Sequence, residues 1–328
     1  MKATAIANAN IALVKYWGKR NKELILPYNS SISMTCDGLW SKTTVEFGSY
    51  ANDTITINDE ELKKDEKEVL GHVERIRTLA GIKQRARVAS TANFPVAAGL
   101  ASSASGLAAL TVATSAAAGL KLTERELTML ARQGSGSASR SILGGFAQWN
   151  RGSRDDGSDS YADSIAPKTH WPDFRMIATI VSEAKKKTSS RAGMAQTVAT
   201  SPYYDGWLKT IEQDIDAVRT GIRMKDFTLV GSTAEQNALK MHATMMTTMP
   251  SIIYWEPATV EIMHHIMTWR EEGLESYFTM DAGPQVKVLC LKKNVDELQE
   301  RLQELEGIKK TVVCSPGDGA RLVSEHLF

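Results

Sequence analysis

The sequence has only three cysteines in 328 residues, Cys36, Cys290 and Cys314. They are far apart, odd in number and without metal-ligand spacing, which excludes a disulfide framework and a thiolate zinc site and reads as buried thiols in a reducing compartment. Neither Cys36 nor Cys290 has a nearby histidine or a catalytic signature, so a cysteine nucleophile is not expected. Long apolar runs are also missing: no stretch reaches the roughly eighteen residues that a bilayer span needs. The opening MKATAIANANIALVKYWGKR lacks the apolar core of a secretory signal, so a cytoplasmic protein without a membrane partner is expected. An excess of one charge is absent too, Lys plus Arg (39) nearly balancing Asp plus Glu (38). No global field therefore draws in nucleic acid, and any anion binding must be local. The pair His264-His265 has no third metal ligand, and His242, at helical spacing from Ala238, reads as a satisfied helix residue near a cleft.

The length favours two domains or one large α/β unit. The first half is strand-rich, with β-branched or alternating segments at 4–16, 43–47, 54–57 and 87–91. A helix is expected over 66–80, with Val69, Val73, Ile76 and Leu79 on one stripe and Gly81 to stop it. A second, over 105–118, is built almost wholly of small residues and can pack closely. A third, over 122–133, has a full start signal: Thr123 as N-cap, Glu126 for a capping box, Leu122 and Leu127 as a staple. The polar stretch 151–161 reads as an exposed loop. Beyond it come a strand over 176–181 and a helix carrying Trp207, Ile211, Ile215 and Val218. Helices near 226–246 and 257–272 follow, then strand, helix and strand at 287–291, 294–306 and 310–314. The methionines Met241, Met245, Met246 and Met249 read as core. This mixed order predicts an α+β fold with no repeat and a boundary near residue 180, giving domains 1–180 and 181–328.

The segment PVAAGLASSASG, residues 95–106, places Gly99, Leu100 and Ala101 before Ser102, Ser103, Ser105 and Gly106 at the entrance to a helix. Free N–H groups and the positive dipole end at a helix N-terminus suit an anion, and small side chains let phosphate oxygens come close. The hydroxyls can add donors, and Ser103 can touch Mg²⁺. This is neither GxxxxGK[ST] nor GxGxxG, so the two nucleotide folds with those signatures are disfavoured. Runs of Ala, Gly and Ser also occur where helices simply pack tightly.

The loop resembles the phosphate-binding motif of the kinase superfamily that includes galactokinase, homoserine kinase, mevalonate kinase and phosphomevalonate kinase. Four further stretches are similar to the diphosphomevalonate decarboxylases within it: NIALVKYWGK (10–19), GSGSASRS (134–141), KTSSRAGM (187–194) and MDAGP (280–284). The resemblance implies the GHMP kinase fold, a ribosomal-protein-S5-like α/β domain and a ferredoxin-like α/β domain with a cleft between them. It implies ATP and Mg²⁺, mevalonate 5-diphosphate as substrate, and a homodimer. The implied reaction is phosphorylation of the 3-hydroxyl, then loss of phosphate and carbon dioxide to give isopentenyl diphosphate and ADP.

Carried onto this sequence, the resemblance makes Asp281 the catalytic carboxylate, a residue that would otherwise read as capping the Ala282-Gly283-Pro284 turn. Alternation along a strand would send Lys15 and Lys19 to one face and Tyr16 to the other, unless the strand breaks at Gly18. By resemblance Tyr16 and Lys19 reach the diphosphate, with Lys15 beside them, and Asn10 lies near the substrate carboxylate. Arg140 suits a planar, bidentate grip on that carboxylate. Ser135 and Ser137 sit in a glycine-rich segment open to phosphate, Ser190 and Arg191 form another anion clamp, and Lys187 serves the transferred phosphate. Without the resemblance KKKTSSR would be a solvated basic turn. Asn93, Gly99, Leu100, Ala101, Ser102, Ser103, Ser105 and Gly106 make the ATP side. Two departures stand out, Gln285 in place of an expected Asn and Val96 in place of a common Thr. Rival readings are a mevalonate 5-phosphate decarboxylase, a 3-kinase that does not decarboxylate, and a silent ATP-binding protein.

Overall fold

The computed structural model describes residues 1–61, 67–94, 102–184 and 186–328. Val96, Gly99, Leu100 and Ala101 of the phosphate loop lie outside the described residues. The first half contains β1 (Lys2–Val14), β2 (Lys19–Asn21), β3 (Leu26–Pro27), β4 (Ser31–Gly48), β5 (Thr54–Ile57), β6 (Glu60–Glu61), α1 (Lys67–Ala80), β7 (Arg85–Ala92), α2 (Ser102–Ala117), α3 (Glu124–Arg132), α4 (Ala138–Ser141), β8 (Phe146–Trp149), β9 (Ala162–Ala166) and β10 (Phe174–Ile180). Then follow α5 (Ser190–Thr200), α6 (Tyr204–Met224), α7 (Phe227–Met246), α8 (Pro257–Glu271), β11 (Tyr277–Met280), β12 (Val286–Leu291), α9 (Val295–Gln303), β13 (Lys310–Cys314) and β14 (Arg321–Val323).

Two main sheets organise these elements. The larger runs β14-β1-β4-β7-β5-β6, with β8 and β9 extending from β4, and the smaller runs β11-β12-β10-β13. Among the described residues only the β5–β7 pairing in them is parallel. The central strand β1 is buried almost end to end because helices cover both its faces. On one side α2 supplies Ala104, Ala108, Ala109 and Ala113, all buried, so that its backbone approaches β1 and β4 closely. On the other side α6 and α7 pack against the strand.

The core is shared between the two sheets. Ala9, Ile11 and Leu13 of β1 belong to the same cluster as Phe174, Met176 and Ala178 of β10 and Trp207, Ile211, Ile215, Val218 and Ile222 of α6. Those α6 residues form one stripe at helical spacing, and cutting any of the isoleucines back to Ala would cost about 2–5 kcal/mol. Strand alternation is plain in β10: Met176 and Ala178 face this shared core, while Ile177 joins a second cluster under α8 and α9. The capping box of α3 forms as expected, Thr123 N–H donating to Glu126 Oε2 at 2.8 Å and Glu126 N–H to Thr123 Oγ1 at 3.3 Å.

Around the NIALVKYWGK stretch the strand ends earlier than alternation predicts. β1 stops at Val14 because the Lys15 N–H donates to Asn237 Oδ1 at 2.7 Å, and its carbonyl accepts from Asn29 Nδ2 at 2.7 Å. Side-chain amides thus replace the ladder there. Gly18 has φ +103°, and a Cβ at that position would lie 2.0 Å from the Tyr204 hydroxyl, which donates to the Trp17 carbonyl. Only glycine fits that close approach.

Candidate active site

A cavity of about 570 Å³ opens between the two sheets, walled by the end of β1, the N-terminal ends of α2 and α5, the 135–140 segment and the turn after β11. Asp281 lies in that turn, which is closed by Gly283 N–H on the Asp281 carbonyl at 2.8 Å. Gln285 ties the turn to the end of β10, its Oε1 accepting from Val181 N–H at 2.7 Å and its amide donating to the Ser182 carbonyl. The residue that departs from the family pattern is therefore a structural strut.

Lys15 is buried, and its ammonium donates to Asp281 Oδ1 and to the Ala12 carbonyl, each at 2.8 Å. The second carboxylate oxygen faces the ammonium of Lys287, also fully buried, at 3.4 Å. Burial pushes the Asp281 carboxyl up, but the two ammoniums outweigh it and hold the group well below the usual carboxylate range. For Lys15 burial wins over the attraction of Asp281 and brings the ammonium down to about 8. His242 sits behind this pair, its Nε2 at 3.2 Å from the Asp281 carbonyl, and burial lowers it to about 3, so it is neutral.

Arg140 is held by its buried surroundings: Nε donates to Asn10 Oδ1 at 3.2 Å and Ser33 Oγ at 3.0 Å, and Nη1 to Ser31 Oγ at 2.5 Å. Asn10 in turn donates to the Ser137 carbonyl at 2.9 Å and to Ser141 Oγ at 2.7 Å. Burial lowers Arg140 to about 10, still a cation at neutral pH, and among the described residues no carboxylate is its hydrogen-bond partner. Tyr16 packs edge-on against Trp149 with ring centroids 4.7 Å apart, and burial raises its phenol. Gly136 sits against that pair, 2.5 Å being all the room a Cβ would have to the Trp149 ring. Lys19, Ser135, Ser137, Ser190 and Arg191 also line the cavity. Burial, with Arg191 and Lys22 nearby, lowers Lys19 to about 8.

Among the described residues of KKKTSSR, the chain turns into a helix at Ser190. Ser189 caps α5, its Oγ accepting from Ala192 N–H at 3.2 Å, so Ser190 and Arg191 stand in the first turn of a helix at the cavity wall. Its lining lysine is Lys186, whose ammonium donates to Ser190 Oγ at 2.9 Å and the Ala282 carbonyl at 2.6 Å. Lys187, named from the sequence, is exposed and does not line the cavity, because the chain enters α5 with that side chain outward.

At the start of α2, Ser102, Ser103 and Gly106 line the cavity. Ser105 does not: it is fully buried and shares a 2.8 Å hydrogen bond with Ser41 on β4. Asn93 is exposed and spends its side chain on the Gly38 carbonyl and the Trp40 N–H, both at 2.8 Å, clasping the end of β7 to β4. Beyond Ser103 the cavity runs into an apolar arm of Ile55, Ile57, Val69, Val88, Leu107 and Leu110, with Thr43 and Ser90 at its edge. The motifs did not reveal this arm, although the apolar positions of 54–57 and Val69 were visible. Lys186 and Lys287 were also missed; a basic run and a lone lysine in VKVLCL carry no sign of where they point.

Comparison with known proteins decides the lineage. Residues 7–162 match a family model described as the diphosphomevalonate decarboxylase-like N-terminal domain, and residues 176–319 match the mevalonate 5-diphosphate decarboxylase C-terminal domain. The chain belongs to the diphosphomevalonate decarboxylase family. The family's enzyme from Ganoderma lucidum is 38% identical over 322 residues, covering 91% of this chain and 80% of its own. Among solved structures, MDDEF in complex with MVAPP, AMPPCP and magnesium superposes with a TM-score of 0.93 at 43% identity, covering 98% of this chain and 99% of the other. The mevalonate diphosphate decarboxylase from Enterococcus faecalis gives 0.91 at 43%, with the same coverage. The α+β, two-sheet architecture is thus the GHMP kinase fold of this family. No helix among the described residues is long and apolar enough to cross a membrane.

Proposed function

We infer that the protein is an ATP-dependent carboxy-lyase that converts mevalonate 5-diphosphate to isopentenyl diphosphate, releasing ADP, phosphate and carbon dioxide through phosphorylation of the 3-hydroxyl. The observation that supports this most directly is the Asp281 carboxylate, held ionised between two ammoniums and facing the cavity that Arg140 and the starts of α2 and α5 also line.

In this reading the substrate diphosphate lies against Tyr16, Lys19, Ser135, Ser137, Ser190 and Arg191, where a phenol, an ammonium, a guanidinium and hydroxyls converge. Its carboxylate meets Arg140, whose three hydrogen bonds fix the guanidinium plane before anything binds. Asn10 orients Arg140. The ATP phosphates lie at Ser102, Ser103 and Gly106, and the apolar arm takes the nucleobase. Asp281 then orients the tertiary hydroxyl toward the γ-phosphoryl group. A bond forms from the 3-oxygen to phosphorus, the bridging P–O bond to ADP breaks, and the hydroxyl proton passes to Asp281. A loose phosphoryl-transfer transition state demands little basicity, so a carboxylate held below its usual range still suffices as orienter and late acceptor. The new phosphate leaves with the C3–O electron pair, the bond to the carboxyl carbon breaks, and its electrons form the double bond as carbon dioxide departs. Lys15, Lys19, Lys186 and Arg191 stabilise the charge on the leaving phosphate.

Among the described residues no group of three or more His, Cys, Asp or Glu could hold a metal. The only hydroxyl named for magnesium, Ser103, lines the cavity, and Asp281 is already engaged by ammoniums. Ser103 would add one oxygen ligand to a magnesium ion that arrives with the nucleotide, and the ion would supply neutralisation of phosphate charge. We place the working protein in the cytoplasm, in keeping with three buried free cysteines, and take the boundary between its halves near residue 180.

The test incubates the purified protein with ATP, Mg²⁺ and either mevalonate 5-diphosphate or mevalonate 5-phosphate, following ADP and carbon dioxide separately. Equal amounts of both products from the diphosphate alone are expected. Carbon dioxide only from the monophosphate would overturn the substrate, and ADP without carbon dioxide would overturn the decarboxylation.

A further inference from the structure

Lys287 helps to hold Asp281 ionised but takes no step of its own in the chemistry above, and a lysine is almost never fully buried unless paired. It stands on β12, beyond the Asp281 turn, and does not line the cavity. Its ammonium donates to the Gln285 carbonyl at 3.2 Å and lies 3.4 Å from Asp281 Oδ2. That oxygen is itself buried, whereas Oδ1 is shared with Lys15 at 2.8 Å. The two ammoniums therefore grip different oxygens of one carboxylate, Lys15 from the end of β1 and Lys287 from the sheet below.

We propose that Lys287 is a positioning residue for the reaction: its ammonium fixes Oδ2 of Asp281 from behind, so that the carboxylate plane is set and Oδ1 is presented to the substrate hydroxyl. A carboxylate with a single partner can swing about its last torsion, whose energy well is broad. One pinned at both oxygens cannot. The second ammonium also keeps a negative charge tolerable in a buried position, where burial alone would favour the protonated acid. The other charged or titratable groups facing Asp281 do not duplicate this. Lys186 is committed to Ser190 and Ala282. Arg140 is committed to Asn10, Ser31 and Ser33. His242 is neutral and meets only the Asp281 carbonyl, and the Cys36 thiol is held protonated, its hydrogen bond with Cys314 coming before burial as the cause. Gln285, the departure from the family pattern, carries the carbonyl that holds Lys287, so the strut and the lysine form one unit.

This inference rests on the proposed reaction, and its test separates the two. Lys287→Met and Lys287→Gln are compared with the unaltered protein by the pH profile of kcat, the KM for ATP, and the infrared band of a protonated carboxyl, identified by its loss in Asp281→Asn. The infrared readout needs no turnover, so it reports on Lys287 even if the substrate assignment is wrong. Expected for Lys287→Met are a kcat at least tenfold lower at neutral pH, an acid limb moved up by about one pH unit or more, a protonated-carboxyl band appearing at correspondingly higher pH, and an ATP KM within about twofold. Lys287→Gln, which keeps a donor without the charge, should recover part of kcat while its limb stays shifted. It carries the test should the methionine variant not fold. An unmoved limb and band in a folded variant overturn the proposal, whether kcat is unchanged or falls together with thermal stability as a merely structural role would have it.

Discussion

Replacing Asp281 with Asn removes one negative charge from a site where two ammoniums were arranged around it. A positioned acid or base contributes about 10²- to 10⁴-fold, which is about 3–5.5 kcal/mol of barrier. The amide still fills the volume but cannot accept the hydroxyl proton, so turnover should fall by at least a hundredfold. Removing one partner of a buried ion pair ordinarily costs about 3–5 kcal/mol of stability because the other charge is stranded. Here Lys287 keeps the Gln285 carbonyl as a partner, and the Lys15 charge has an escape. Burial already brings Lys15 down to about 8 with Asp281 present, so at pH 7 its proton can be released for about 1.4 kcal/mol. Loss of Asp281 lowers that cost further. The variant should therefore stay folded with Lys15 neutral, losing about 1–2 kcal/mol of stability, and bind ATP within about threefold of the unaltered protein, since Ser102, Ser103 and the apolar arm are untouched. The assay is single-turnover formation of ADP and carbon dioxide at saturating ATP, alongside nucleotide binding and thermal unfolding. Turnover within tenfold of the unaltered protein would refute Asp281 as orienter and acceptor, and a matching collapse of ATP affinity would show that the site had been disrupted as a whole.

Gly136→Ala would put a Cβ within 2.5 Å of the Trp149 ring and 3.0 Å of Tyr16 Cε1. Overpacking of this kind costs about 1–3 kcal/mol, and here it displaces the phenol from the diphosphate side. The KM for the diphosphate should rise at least fivefold with the ATP KM unchanged, and steady-state kinetics with each substrate varied would check it. Lys15 and Lys19 both lie near 8, well below their ordinary 10.5. Two opposite trends should follow as pH rises past 8. kcat/KM for the diphosphate falls as the free enzyme loses its ammoniums. Stability climbs between about 8 and 10.5, because there the unfolded chain binds more protons than the folded one, and for buried Lys15 the full span is worth roughly 3 kcal/mol. Chemical denaturation across that range, set beside the kinetic profile, would show whether the trends cross.

The elements with strong local signals were legible from the sequence. Thr123 and Glu126 mark the start of α3, Trp207 to Val218 mark the buried stripe of α6, and the strands at 54–57 and 310–314 coincide with β5 and β13. Strands that depend on partners far along the chain were not. FAQW of β8 and YFTM of β11 are short and buried, without alternation to declare them, and β4 runs on through SISMTCDGLW because β1, β7 and β8 pair with it. The site shows the same division. Motif residues such as Asp281, Arg140 and Ser135 could be named, but that Lys186 rather than Lys187 turns inward is decided by the Ser189 cap and the Ala282 carbonyl, a contact that spans 96 residues. Ser105 reads as part of a phosphate loop until the helix turn carries it onto Ser41.

The edge strand β14 bears on how the protein is made. A ladder that pairs Thr4 with Val323 cannot close until synthesis has passed β14. That edge of the larger sheet is thus finished only after every strand of the smaller sheet has been made. β1 must wait for its neighbour through synthesis of the entire C-terminal half, as an exposed edge open to pairing with other chains.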